Sequence, residues 1–484
     1  MVCATTDLPC LALYGAICNR LSLRRDLEHA RADRAIPNRR VITPTVIATG
    51  LLLSLSSAYL IPHLPAEDTG TLTIAWYLVN SLWMLVIWRD QNGTQTDLTP
   101  NGQIGTQKSH LSANQILAIG VIARLLLLGV PGFASNDTER YLWDGAVLLN
   151  GFDPYQLHPD HPSLASLRAV WPTPEEHAAY PTLYPPLALG IFSLCAIAGS
   201  EAGLWAWKLI TTSASIASLF VVYGVLKKIG QQRHLALISL SPLVLLETGV
   251  SAHVDSLSML AISIMLWFSV HKQWLWAGVA IGLGASIKLL PLLALGPLLF
   301  ANPPKNWPRI LFGVGAALAI CYGVATLLHL VPVGSLATFF SKWRFGSPVY
   351  SLIEWLHSLG EPNLFAAINL QTILILLAVI AGAIALWLSR RNLHRGLTLM
   401  LSIPLILSPV VFPWYLVVLV PLATIRPNIL LLVWLITAPF SYEVLNDFVS
   451  TNTWQPATWP LWAIAAGWIA GFCVSTSRTK SNSQ

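Results

Sequence analysis

Residues 135–145 read Ser135-Asn136-Asp137-Thr138-Glu139-Arg140-Tyr141-Leu142-Trp143-Asp144-Gly145. They open a polar interruption, from Pro131 to Tyr184, between hydrophobic runs of membrane length. A connection this long is usually a functional loop or a disordered linker. Aromatic residues recur through it, whereas disordered segments are poor in them. We therefore expect an ordered loop that carries a function.

The composition indicates a polytopic membrane protein. Of the 484 residues, 55% are hydrophobic and only 10% are charged, whereas soluble domains carry about 25% charged residues. The net charge of +6 is small for this length. No stretch is basic enough to indicate a nucleic-acid partner.

Basic residues set the predicted orientation, because Lys and Arg in short loops mark the cytoplasmic side. Residues 1–40 carry seven arginines and are predicted to be a basic cytoplasmic N-terminal segment. Residues 41–110 are predicted to hold two extra transmembrane helices and a linker. The rest divides into a core at 111–425, with external loops at 131–202 and 331–363, and C-terminal transmembrane helices with a cytoplasmic tail at 426–484.

The apolar run Pro185–Ser200 decides the topology, because it has only sixteen residues and a spanning helix needs about 20. If this run and Gly203–Leu226 both crossed, the basic loop 227–233 would lie outside. We therefore predict that Pro185–Ser200 lies in the outer interface or dips into it. The predicted fold is all-α, with about 12 to 14 transmembrane helices and juxtamembrane helices in a long first external loop.

Three residues of the polar interruption, Asp137, Tyr141 and Asp144, recur at helical spacing, so they share one face of a helix that begins near Asp137. Arg140 lies four residues before Asp144 and can pair with it. The alternative is that Asn136 or Asp137 only caps this helix. Capping accounts for one acidic residue, but not for two carboxylates and an arginine beside aromatic residues at the mouth of a membrane bundle.

Three basic residues lie within apolar runs, namely Arg124, Lys208 and Lys288. Charge inside a membrane is costly and usually faces a partner or a cavity. Their predicted convergence toward the outer leaflet suggests a buried anion, such as a lipid phosphate. The alternative, strongest for Lys288, is that each side chain reaches the membrane interface. Lys342 and Arg344 of the second external loop either add to this site or are solvated loop charges.

A further polar turn carries Glu247, His253 and Asp255. A metal site there is one hypothesis, although the spacing is mixed. The stronger alternative is that Asp255 caps the next helix. Tyr415 would ordinarily be an interfacial aromatic residue.

Several motifs together resemble the GT-C class of integral-membrane glycosyltransferases, and most of all the bacterial polyprenol-phosphate-mannose-dependent α-mannosyltransferases. The first-loop motifs are 137–145, Gly151-Phe152-Asp153-Pro154-Tyr155 and Tyr184-Pro185-Pro186-Leu187. The later motifs are His253-Val254-Asp255-Ser256, Gly284-Ala285-Ser286-Ile287-Lys288-Leu289-Leu290-Pro291 and Ser408-Pro409-Val410-Val411-Phe412-Pro413-Trp414-Tyr415. The resemblance covers roughly residues 111–425.

This resemblance implies a polyprenyl-phosphate-linked donor sugar, such as mannose or another hexose, and a lipid or glycan acceptor at the extracytoplasmic face. The usual catalytic residue is an acidic one early in the first external loop, which here is Asp137. Many relatives have two adjacent acidic residues there, and this chain has Asn136-Asp137 instead. The candidate substrate-binding residues are then Arg140, Tyr141, Asp144, Tyr184, Lys208, Asp255, Lys288, Lys342, Arg344 and Tyr415.

The expected reaction is an inverting displacement at the sugar, with Asp137 as general base for the acceptor hydroxyl and basic residues stabilising the phosphate that leaves. No metal ligand is assigned, and a divalent metal is the one candidate cofactor. The expected location is the bacterial plasma membrane, with the site facing outward. The alternative function is a transporter or flippase of an anionic lipid-linked glycan, which predicts inverted repeats and charges near the bilayer midplane.

Overall fold

The computed structural model describes residues 44–93, 96–98, 104–106, 110–173, 175–332, 334–335, 342–359 and 369–481. It divides into two units, residues 1–47 and 48–484. Only the start of one helix represents the first unit in the described part, and the predicted basic segment 1–40 lies outside it.

The amino-terminal part of the chain forms two long helices, a small hairpin and a third helix. These are α1 (Pro44–Ser56), α2 (Thr69–Asn92), strands β1 (Thr96–Leu98) and β2 (Ile104–Thr106), and α3 (Ala113–Leu127), with 3-10 turns at Ser57–Tyr59, Ile61–His63 and Ala66–Asp68. The strands pair antiparallel, with Thr96 opposite Thr106. Ser112 and Gln115 form a reciprocal capping box, which fixes where α3 begins.

The first loop, residues 131–202, contains helices of its own. They are α4 (Asp137–Leu149), α5 (Ala165–Arg168) and α6 (Pro186–Ala196), with 3-10 turns at Pro162–Leu164 and Glu175–His177. Helix α4 packs against α6, and a Cβ at Gly145 would overlap the backbone of Phe192. This close approach lets Tyr141 stack on Phe192 at 4.8 Å between ring centroids. The loop is therefore a folded layer with its own aromatic core, as its composition predicts.

The middle of the chain is a series of helices of very different length. They are α7 (Ser200–Lys228), α8 (Ala236–Ser239), α9 (Pro242–Leu245), α10 (Asp255–Val270), α11 (Trp274–Ala285), α12 (Leu295–Phe300) and α13 (Trp307–Leu327). Between them lie a wide π-type turn at Leu246–Val250 and 3-10 turns at Gln232–His234, Leu290–Ala294 and Pro304–Asn306. A Cβ at Gly278 or Gly313 would overlap backbone of the facing helix, so α11 and α13 pack in close contact.

The remaining helices are α14 (Pro348–Ser358), α15 (Leu370–Arg391), α16 (Leu393–Leu407), α17 (Val420–Ile425), α18 (Ile429–Thr437), α19 (Leu445–Thr451) and α20 (Trp459–Ser481), with 3-10 segments at Pro413–Leu419 and Ala438–Val444. Side chains of Asn369, Asn392 and Asn428 cap α15, α16 and α18. The helical run from α18 continues to Thr451. A 3-10 segment joins α18 to α19 and continues the run.

The prediction of an all-α polytopic membrane protein is confirmed. In the described residues, six helices are long and apolar enough to cross a membrane, or seven if the bent pair Gln232–Ser239 and Pro242–Val250 is one span. Eight shorter apolar helices accompany them. Helix α6, with 11 residues, is one of these. The total number of crossings, the dipping of α6 and the domain boundaries stay predictions.

Candidate functional site

A cavity of about 480 Å³ brings the first loop together with distant parts of the chain. Among the predicted site residues, its wall includes Asp137, Arg140, Asp144, Tyr184, Lys288 and Tyr415. Two sets of backbone contacts hold these distant segments together at the cavity. The amides of Leu187 and Ala188 donate to the Ser286 carbonyl, and Phe345 forms a parallel bridge with Val410.

Asp137 begins α4, as predicted, and its side chain is 20% exposed. The Ser135 hydroxyl accepts a hydrogen bond from the Asp137 amide at 3.0 Å. Asn136 makes no side-chain cap, so the capping hypothesis is wrong for it. Its amide group donates instead to Glu176 at 2.6 Å. The Asp137 carboxylate is thus placed at the cavity wall by the helix start.

Tyr141 lies one turn after Asp137 and donates its hydroxyl proton to the Asp137 Oδ2 at 3.2 Å. Its ring meets that of Tyr184 edge to face, with centroids 5.2 Å apart. Burial, and then the negative charge of Asp137, raise the pKa of Tyr141 and of Tyr184 well above the usual value. Both hydroxyls therefore keep their protons at neutral pH, and that of Tyr141 is the donor to Asp137.

Lys288 lies in the turn between α11 and the 3-10 segment that follows it. Its ammonium donates to both carboxylate oxygens of Asp255, at 2.7 and 2.9 Å. It also lies over the ring of Tyr415, 4.0 Å from the centroid. The hypothesis that Asp255 only caps α10 is wrong, because its side chain makes no cap and binds Lys288 instead. Lys288 lines the cavity, and its reach to the membrane interface stays a prediction.

The predicted pairing of Arg140 with Asp144 is confirmed at 2.9 Å, with both side chains buried. Arg140 also donates to the Tyr180 carbonyl at 2.8 Å. This contact fastens α4 to the far end of the first loop. The pair places one cation and one anion on the cavity wall, close to Asp137 in sequence.

Four predicted cations lie away from the cavity wall. Lys208 donates to the Val130 carbonyl, and Arg124 is enclosed by polar groups of α3, α7 and α8. The predicted convergence of Arg124 and Lys208 with Lys288 on one anion is therefore wrong. Lys342 contacts the Tyr180 hydroxyl at 3.1 Å. Arg344 pairs with Glu354 at 3.1 Å and is exposed.

The polar turn before α10 does not gather a metal site. Glu247 and His253 approach each other, with 3.1 Å between Oε2 and Nδ1, while Asp255 turns to Lys288. Within the described ranges, no group of three or more His, Cys, Asp or Glu side chains could hold a metal ion. The hypothesis of a Glu247–His253–Asp255 metal site is therefore wrong, and a metal requirement stays a prediction.

Several wall residues were missed by the sequence analysis, namely Glu176, Tyr180, Trp343, Tyr442 and Trp454. Two of them belong to the segment after residue 426, which was set apart from the predicted core. The signal for Trp454 is its place in a polar stretch, Thr451-Asn452-Thr453-Trp454. No sequence pattern links this stretch to the first loop.

Helix α2, set apart as an extra element, also contacts the site. Tyr77 stacks on Tyr442 with 6.0 Å between centroids, and its hydroxyl donates to Glu247. The Asn446 side chain accepts from the Gly70 amide at 2.8 Å. The amino-terminal and carboxyl-terminal parts of this unit thus meet behind the cavity.

A family model described as alpha-(1->6)-mannopyranosyltransferase, N-terminal domain (MptA/B family), matches residues 45–302, more than half of the chain. No curated protein and no solved structure matches significantly. The matched region takes in α1 and α2 as well as Asp137, His253 and Lys288. The chain therefore belongs to the MptA/B alpha-(1->6)-mannopyranosyltransferase family, and it is a membrane-embedded glycosyltransferase of the GT-C type that uses a sugar donor.

Proposed function

We propose that the protein transfers mannose or another hexose from a polyprenyl-phosphate donor to a lipid or glycan acceptor at the extracytoplasmic face of the bacterial plasma membrane. The observation that carries the proposal is the placing of one carboxylate and one ammonium, Asp137 and Lys288, on the wall of the same cavity. Transfer from a glycosyl phosphate needs a base for the acceptor and a positive charge for the leaving group.

Asp137 is the base in this proposal. Its carboxylate takes the proton of the acceptor hydroxyl while that oxygen bonds to the anomeric carbon. The bond from this carbon to the phosphate oxygen breaks on the opposite side, so the configuration at the anomeric carbon inverts. The Tyr141 hydroxyl bonds to Oδ2, and this contact orients the carboxylate for the transfer.

Lys288 stabilises the leaving phosphate. An ammonium has three N–H donors, and Asp255 accepts from Nζ with two oxygens. The remaining exposed part of the ammonium, beside the Tyr415 ring, is open to an anion in the cavity. The side chain is 22% exposed and Asp255 is 2% exposed, so the cation faces the cavity while its partner lies behind it. With Asp255 behind it and the cavity in front, the Lys288 ammonium can bind an additional negative group on the side that faces the cavity.

An apolar groove beside the cavity supports a lipid-linked donor. The groove has a volume of about 420 Å³ and is lined by Ala285, Leu289, Leu292, Leu318, Ala319 and Tyr322. Leu289 and Leu292 also line the main cavity. A phosphate at Lys288 would therefore have apolar surface next to it, where the first isoprene units of its lipid can lie.

The test is Asp137→Asn in the full-length protein, assayed in membranes with radiolabelled polyprenyl-phosphate mannose and a mixed pool of lipid and glycan acceptors. Loss of the base should lower transfer by at least about 10²-fold, with unchanged expression. Glu139→Gln is the matched control, because Glu139 lies on the exposed side of the same helix turn. Wild-type transfer by Asp137→Asn would remove Asp137 from the mechanism.

The outward orientation has its own test. Ser163→Cys places a thiol on an exposed part of the first loop, and a membrane-impermeant maleimide should label it in intact cells above the level of the unsubstituted protein. Labelling only after lysis would place the loop inside and contradict the proposed face.

A further inference from the structure

Behind Asp137 lie two more ionisable groups, His253 and Glu247, that the proposed reaction has not used. His253 is fully buried, and its Nε2 is 3.7 Å from the Asp137 Oδ2. Its Nδ1 is 3.1 Å from the Glu247 Oε2, and that carboxylate is also fully buried. The imidazole therefore lies between two carboxylates, one at the cavity wall and one in the protein interior.

The imidazole ring is held firmly in this place. It stacks on Trp414, with centroids 4.0 Å apart and planes 9° apart. The His253 amide donates to the Glu247 carbonyl at 2.8 Å, which closes the turn that carries both residues. The neighbouring Ala252 has a φ of 52°, in the left-handed region that non-glycine residues seldom adopt. Such strained turns and π-type turns recur at functional sites.

Glu247 is fixed on its far side. Its Oε1 accepts hydrogen bonds from the hydroxyls of Tyr77 and of Tyr442, the latter at 2.9 Å. Two donors on one oxygen orient the carboxylate so that Oε2 faces Nδ1 of His253. Neither nitrogen of the imidazole completes a hydrogen bond in the structure. Because an ionised carboxylate only accepts hydrogen bonds, the 3.1 Å approach of Oε2 favours the imidazole proton on Nδ1. Nε2 then presents its lone pair toward Asp137.

We propose that His253 and Glu247 are positioning residues that act through Asp137 and take over the proton it removes from the acceptor. This inference rests on the proposed function. When the acceptor oxygen bonds to the anomeric carbon and the phosphate leaves, Asp137 becomes a neutral acid. Its proton then moves to Nε2 of His253, which becomes an imidazolium, and Asp137 returns to a carboxylate. The negative charge of Glu247 balances the imidazolium, so no uncompensated charge forms in the interior.

The geometry before reaction agrees with this order. At 3.7 Å, Nε2 and Oδ2 are in contact range but beyond hydrogen-bond length, as expected for a lone pair facing a carboxylate. Protonation of Asp137 supplies the donor that is missing between them. The other ionisable groups nearby include Asp255, which pairs with Lys288, the Tyr141 hydroxyl on Asp137 and the tyrosine hydroxyls on Glu247.

The kinetic test compares three variants with the wild type in the transfer assay with polyprenyl-phosphate mannose. His253→Gln removes the proton acceptor, and His253→Phe keeps an aromatic ring for the stack on Trp414. Glu247→Gln offers an amide donor to Nδ1, which moves the imidazole proton to Nε2. In all three, kcat should fall by about 10²-fold, the lower end for positioned acid–base groups, while KM for the donor stays within about twofold. Wild-type kcat in His253→Phe would assign the residue a packing role alone and overturn the proposal.

A second test does not depend on transfer. His253 is the one histidine followed by a valine in the sequence, so uniformly ¹³C,¹⁵N-labelled histidine with ¹⁵N valine selects this residue through its peptide bond to Val254, and solid-state NMR in liposomes then reads its ring nitrogens. The expected ring has a protonated Nδ1 and a bare Nε2 in the resting protein, and Glu247→Gln should exchange the two. A proton on Nε2 in the wild type overturns the proposal. Wild-type transfer that fails with every polyprenyl-phosphate sugar would overturn the proposed function, and the NMR result would still decide the proton position.

Discussion

Arg124 and Lys288 look alike in the sequence, since each is a lone cation in an apolar run, yet the fold uses them in opposite ways. The Arg124 guanidinium donates at 2.9 Å to the carbonyls of Gly120, Ile238 and Ser239. It is 1% exposed and lies away from the cavity wall. Its N–H groups bond to the protein itself, so the Arg124 side chain links α3, α7 and α8.

Lys288 instead has an acidic partner and an open side. Asp255 neutralises it from behind, and the cavity lies in front. The role of a buried cation therefore follows from its hydrogen-bond and ionic partners and not from how deeply it is buried. Backbone carbonyls use up the donors of the cation and make it a structural link, whereas a carboxylate at a cavity wall holds the cation in place for a ligand.

The largest expected effect comes from neutralising the Lys288 pair. Lys288→Gln alone would leave Asp255 buried without a partner, which costs about 3–5 kcal/mol. The double variant Lys288→Gln/Asp255→Asn removes both charges and keeps a hydrogen-bonding pair. We expect transfer to fall by about 10²-fold, because the leaving phosphate loses its cation, while the melting temperature changes little. Near-normal transfer with a folded protein would show that the leaving group does not need Lys288.

The next largest effect is the loss of stability expected when Arg124 is replaced, in contrast to the loss of transfer expected for Lys288. Arg124→Met leaves several buried carbonyls without donors, and each unsatisfied group costs about 1–3 kcal/mol. We expect a clear fall in the melting temperature in detergent, with transfer per folded molecule unchanged. Arg124→Lys keeps the charge but lacks the planar guanidinium with its several donors, so it should be more stable than Arg124→Met and less stable than the wild type. Loss of transfer without loss of stability would assign Arg124 to the site after all.

The smallest effect should come from replacing a solvent-exposed ion pair. Arg344 and Glu354 pair at 3.1 Å with side chains 43% and 42% exposed, and such pairs contribute about 0–1 kcal/mol. Arg344→Gln/Glu354→Gln is therefore the matched control for the Lys288 pair, because it also removes one cation and one anion. Its transfer rate and melting temperature should match the wild type. A large loss of transfer would assign this ion pair to the site.

The sequence predicted local features well. Helix α4 begins at Asp137 and pairs Arg140 with Asp144 because both follow from spacing within one helix. The short run Pro185–Ser200 contains the 11-residue helix α6, which is shorter than a spanning helix, as the length of the run indicated. These features depend on neighbours within a few residues, which periodicity reports.

Contacts across long separations were not predictable in the same way. Lys288 and Asp255 are 33 residues apart, and Tyr442 reaches Glu247 over 195 residues. Taken alone, Asp255 fits a helix cap or a metal ligand, and Lys288 fits an interfacial side chain. Only their partners decide among those roles.

The sequence by itself determined that this is an all-α membrane protein with a folded aromatic loop, because hydrophobic length, charge scarcity and helical spacing are properties of the chain. Tertiary structure alone decided which charges face a common cavity. That choice depends on close helix approach, as at Gly145 against Phe192, and on where backbone carbonyls have already used the donors of a cation. Burial makes each such pairing costly to leave unmade, so the packed arrangement selects the site.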